Sequence, residues 1–155
     1  MVDTATRSSL TPFRVPVPSG GYLVPDGLFG IEYGSGGTKS YRFFALEADR
    51  GTMPVVRSNP NQTSYLKKVA AYREVIAHRV QKTHWGISNL LVLTLTTGEA
   101  RKAEMLKRLE GQAETSAAFL FKSVRSDTPR QPMAQLLIEP WLRAGLPPVC
   151  IGESG

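Results

Sequence analysis

The sequence is short of the residues that build thiolate metal sites and covalent staples. Its 155 residues include one cysteine, Cys150, and two histidines, His78 and His84. A single thiol excludes an internal disulfide and any cysteine-based zinc site, and two histidines give no basis for a Cys/His cluster. No apolar stretch approaches the roughly 20 residues that a bilayer-spanning helix needs. The first ten residues, MVDTATRSSL, lack the apolar centre of a secretion signal. These absences lead to the expectation of a cytoplasmic protein with no membrane partner. Internal repeats and low-complexity segments are missing too. The run Gly34–Ser40, GSGGTKS, has the glycines of a phosphate-binding loop but not its spacing. Thr38 stands directly before Lys39 where such a loop needs glycine, and the run leads into a strand pattern, not a helix.

What is present suits one domain. At 17.0 kDa, about 70% of the unfolded chain's surface can be buried, enough for a core without staples. Lys and Arg number 19 against 13 Asp and Glu, a net charge of +6. That balance is compatible with a phosphate-backbone partner. Residues 1–19 read as an extended, proline-rich segment, with prolines at 12, 16 and 18. Residues 20–146 read as one α/β domain, and 147–155 as a loose tail.

Within the domain, Tyr22–Val24, Leu28–Tyr33 and Tyr41–Ala48 have strand composition and suggest an antiparallel meander. Gly34–Lys39 reads as the hairpin connection. Apolar residues at helical spacing predict a helix over Gln62–Val80, with Thr63 or Ser64 as cap. Ile87–Thr94 is almost continuously apolar, as a central strand is. Thr97 can cap a second, basic helix over Gly98–Glu110, and Ala117–Lys122 is a last strand. Leu136–Trp141 reads as a short strand or as cover for the core. The predicted order is three strands, helix, strand, helix, strand, with helices packed on a mixed sheet.

The chemistry gathers at the end of the third strand. Two carboxylates, Glu47 and Asp49, close an aromatic run and fall on one strand face, with Ala48 on the other. Burying them is costly unless a cation, a lysine or an arginine neutralises them. A salt-bridge cluster with Arg42, Arg50 or Lys68 is the plain structural way to do so. Asp26 lies in a Pro-Asp-Gly turn, which by itself is an ordinary turn signal. Lys68 and Tyr72 are four apart and share a helix face.

Pro25-Asp26, then Glu47-Ala48-Asp49, then Lys68, resemble in order the PD-(D/E)xK, restriction-endonuclease-like superfamily. More closely, PDG followed by FFALEADRGT and the Lys68–Tyr72 helix resembles the replication-relaxation family of plasmid and mobile-element proteins. The resemblance covers about residues 20–121. It implies a restriction-endonuclease-like fold and a DNA-associated nuclease-like activity, with DNA and a replication or mobilisation protein as partners. It also implies Mg2+ or Mn2+ held by Asp26 and Glu47, with Asp49 as a further ligand, and Lys68 supporting an activated water. Arg50, Lys67, Arg101 and Lys102 are the matching candidates for DNA-backbone contacts. The N-terminus is too short and proline-rich for the winged helix that precedes such domains in the family.

One position departs from the superfamily pattern. Asp49 stands where the pattern has lysine, and a carboxylate cannot supply positive charge. Either Lys68 supplies it from the following helix, or catalysis is lost and the domain is a binding module for DNA or a replication protein.

Overall fold

The computed structural model describes residues 13–49, 65–110, 117–124 and 133–153. Its framework starts from a hairpin. Strand β3, Gly27–Ser35, pairs antiparallel with β4, Thr38–Ala48, in unbroken register from Gly27 opposite Leu46 to Ser35 opposite Thr38. The loop is only Gly36-Gly37, shorter than the glycine-rich run suggests. Both residues have positive φ, 65° and 90°, the conformation a two-residue hairpin loop demands and glycine supplies without strain.

From β4 the chain crosses to helix α1, Tyr65–Ala77, then the short helix α2, Val80–Trp85, and returns in β5, Leu91–Thr96, parallel to β4. Helix α3, Glu99–Leu109, leads to β6, Phe119–Ser123, parallel to β5. Helix α4, Met133–Ile138, precedes β7, Trp141–Arg143, and β8, Leu146–Val149, both antiparallel additions. The result is a mixed α/β fold on a six-stranded sheet in the order β3-β4-β5-β6-β7-β8. β5 lies between two parallel neighbours, which accounts for its near-continuous apolar character.

Alternation along the strands sorts the core into two layers. Phe43, Ala45, Val92, Phe119 and Phe121 face one side, where Tyr65, Val69, Tyr72 and Val75 of α1 and Met105 and Leu109 of α3 pack. Phe44, Leu93 and Leu120 face the other side, against Trp141, Ile151 and the α4 residues Leu136 and Leu137. No helix among the described residues is long and apolar enough to cross a membrane.

The structure departs from the sequence pattern at several places. Tyr22–Leu23, here β2, pairs with β1, Val15–Pro16, in a separate two-stranded ribbon and not with the hairpin. The main sheet therefore takes two strands, not three, from the first third of the chain. Pro25 has no N–H to offer the sheet, and the first link is made by Asp26, whose N–H donates to Leu46 O at 3.0 Å. The long helix ends at Ala77, and Arg79 turns left-handed with φ 53° before α2 begins. The expected caps, Thr63 and Ser64, lie outside the described residues.

The central strand starts four residues later than its apolar run. The Asn89 side chain accepts from Phe43 N–H at 2.9 Å and donates to Tyr41 O at 3.0 Å, occupying β4 where a strand would pair. Gly98, not Thr97, is the N-cap of α3. The tail after Pro147, loose by composition, is paired within β8 and then docked: Ile151 is buried and its carbonyl accepts from the Tyr33 hydroxyl. Gly152 N–H donates to Leu137 O at 3.0 Å, and a Cβ at Gly152 would meet that oxygen at 2.7 Å. Only glycine permits this approach.

Candidate functional site

Glu47 sits one residue from the end of β4, on the face that α1 covers. Its side chain is 7% exposed. Both carboxylate oxygens are engaged from α1. The Tyr72 hydroxyl donates to Oε1 at 2.5 Å, and Lys68 Nζ lies 2.9 Å from Oε2. The four-residue spacing of Lys68 and Tyr72 aims both at one acceptor. Burial pushes the Glu47 carboxyl above its ordinary value, opposed by the hydrogen bonds from Tyr72 and Lys68. The nearby Asp26 charge acts in the same direction as burial. Burial and then the Glu47 charge push the Tyr72 hydroxyl far above its ordinary value, so it stays protonated and donates.

Below Glu47 the sheet presents a polar row. Thr94 is the β5 partner of Glu47, and its hydroxyl shares a 3.1 Å hydrogen bond with Tyr65 OH. Tyr65 and Tyr72 meet Phe121 and Phe119 edge-on, with ring centroids 6.0 and 6.4 Å apart. The helix that carries Lys68 is thus fixed on the sheet by aromatic contacts on either side of the carboxylate.

Asp26 immediately precedes β3, where Gly27 is opposite Leu46. Its backbone accordingly lies beside Glu47. It is exposed, and Oδ2 accepts from Ala48 N–H at 2.8 Å. The fold therefore brings Asp26, Glu47 and Lys68 together, with Tyr72 behind them.

Asp49 is turned to other work. Its N–H donates to Leu95 O at 2.7 Å, and Thr96 Oγ1 donates to Oδ2 at 2.8 Å. Arg101, in the first turn of α3, closes a fork: Nη2 donates to Oδ1 at 2.8 Å and Nε to Oδ2. The two side chains are 9% and 18% exposed. The Asp49 hydrogen bond raises the Arg101 guanidinium still further above its ordinary value. Asp49 thus pairs with a residue 52 positions on, which fastens α3 to the end of β4.

That fork changes the standing of the other basic residues. Arg101, expected at a DNA backbone, is committed to Asp49. Lys102 pairs with Glu99 one turn back at 2.9 Å, and Glu99 also accepts from Ser123 Oγ. Lys67 is exposed on α1. Arg50 lies outside the described residues.

Sequence reasoning passed over Tyr72, Tyr65, Thr94 and Thr96 as site residues. The Lys68–Tyr72 spacing was the available signal, but an aromatic at helical spacing reads first as core, and Tyr72 is core as well, at 1% exposure.

The donor set suits a hard cation. Mg2+ takes oxygen ligands and is commonly held by one or two carboxylates plus waters, and Asp26 directly precedes the strand that pairs with the end of β4 that carries Glu47. The Lys68 ammonium on Oε2 shows that a positive charge fits against Glu47. Among the described residues, no group of three or more His, Cys, Asp or Glu is placed to hold a metal ion. The chain matches no family model, no curated protein and no solved structure.

Proposed function

We propose that this chain is a DNA-associated, nuclease-like domain of the restriction-endonuclease-like kind, serving plasmid or mobile-element replication and hydrolysing phosphodiesters with Mg2+ or Mn2+. The observation that carries the reading is the meeting of Asp26, Glu47 and Lys68 at one end of β4. The connectivity supports it: an antiparallel hairpin, a helix, then a strand parallel to the hairpin's second arm.

In this reading Asp26 and Glu47 are the cation's carboxylate ligands. The bound cation would stabilise charge on the phosphate and activate a water. Tyr72 holds the Glu47 carboxylate in place through Oε1. Lys68 provides the positive charge that the Asp49 position, a carboxylate paired with Arg101, cannot. The net charge of +6 favours approach to DNA.

One observation favours a second reading, a non-catalytic domain that binds DNA or a replication protein. Both oxygens of Glu47 are already satisfied within the protein, which is also how a retired site would be stabilised.

Incubation with supercoiled plasmid and Mg2+ or Mn2+ separates the two. Nicking by the wild type, lost in Glu47→Gln and Lys68→Ala with the circular dichroism spectrum intact, is the outcome expected of the nuclease. Nicking that persists in Glu47→Gln would remove the mechanism. Salt-sensitive retention of plasmid without cleavage would favour the binding module.

A further inference from the structure

This inference rests on the reading that Asp26 and Glu47 hold a divalent cation. We propose that Lys68 is the resident counter-ion of the site and that the cation enters by exchange with it.

The two contacts on Glu47 are not equivalent. Tyr72 is buried, at 1% exposure, and packs edge-on against Phe119. It has no route away from Oε1. The Lys68 side chain is 28% exposed and hangs on a flexible four-carbon stem, so it can swing into water without disturbing the core. Oε2 is therefore the oxygen an arriving cation reaches, and Lys68 is the group it meets there.

Charge gives the exchange its sign. Asp26 and Glu47 contribute two negative charges and Lys68 one positive, so the cluster presents a net −1. Without the ammonium it presents −2. Lys68 keeps Glu47 charged and satisfied when no cation is bound, and it opposes the cation that replaces it. Exchange also frees the ammonium for a phosphate, so that filling the site and making Lys68 available are one event.

The experiment titrates Mn2+ alone into the full chain without DNA and reads free Mn2+ by electron paramagnetic resonance. Wild type is compared with Lys68→Gln, Lys68→Arg and Asp26→Asn. Removing a unit charge at contact distance in a partly solvated site is expected to tighten Mn2+ binding in Lys68→Gln by about tenfold or more. Lys68→Arg keeps the charge and can fork onto the carboxylate, so its binding is expected to be weaker than wild type. It also decides the matter should Lys68→Gln fail to fold. Asp26→Asn is expected to lose binding.

Equal or weaker binding by Lys68→Gln, beside measurable binding by wild type, overturns the exchange and leaves the cation reading standing. Absence of binding in both wild type and Lys68→Gln overturns the cation reading itself, and the exchange with it.

Discussion

Replacing Arg101 by methionine tests the fork that separates Asp49 from the candidate site. The pair is partly buried, with side chains 9% and 18% exposed, and is joined by two parallel N–H···O bonds. Breaking a fully buried pair by removing one partner costs about 3–5 kcal/mol. Here Arg101 keeps some water contact and the Thr96 hydroxyl remains on Oδ2. A loss of about 2–3 kcal/mol follows, the range of charge-assisted hydrogen bonds. For a domain of this size that lowers the thermal midpoint by roughly 5–10 °C. Thermal unfolding followed by circular dichroism measures it directly. The double variant Asp49→Leu/Arg101→Met should recover most of the loss, because no charge is then left stranded between β4 and α3. A midpoint for Arg101→Met within about 1 °C of wild type would refute the reasoning. Asp49 would then be open to the ligand role that its strand position suggests.

Two further outcomes are expected. Burial raises the Glu47 carboxyl above its ordinary 4.5, so the folded state binds this proton more tightly than the unfolded chain does. The resulting contribution is fully present below that ordinary value and is lost as pH rises through the folded one. Urea midpoints across mildly acidic pH should therefore show wild type losing stability relative to Glu47→Gln as pH increases, and a flat or rising difference would contradict this. Trp141 is 1% exposed at the centre of the second core layer, and its indole N–H donates to Leu136 O at 2.9 Å. Trp141→Ala is expected to cost about 3–5 kcal/mol in chemical denaturation, and a cost below about 1 kcal/mol would mean that α4 does not seal that face.

Local periodicity was legible as to which residues share a face, though not as to where the first helix ends or the central strand begins. Strand alternation places Glu47 and Asp49 on one face, and the structure keeps both there. Helical spacing places Lys68 and Tyr72 on one face, and both reach Glu47. The apolar run before Thr94 marks a strand buried on both sides, and β5 is one. Long-range choices were not legible. The partner of Asp49 is Arg101, across a crossover whose geometry no short window contains. The ribbon of Val15–Pro16 with Tyr22–Leu23 leaves the main sheet because Pro25 intervenes, although Tyr22–Val24 has strand composition. β8 contains Pro147 and Pro148 and reads as loose, yet the last strand in a sheet order tolerates proline because its outer N–H groups need no partner.

The sequence by itself determined which residues alternate, which share a helix face, and that two carboxylates at the end of an aromatic strand require positive charge. Only the tertiary structure decided which charge each received. Glu47 took Lys68 from α1, and Asp49 took Arg101 from α3. The physical reason is that neutralising a buried carboxylate depends on distances of about 3 Å between side chains, and those distances exist only once both crossovers have laid their helices on the sheet.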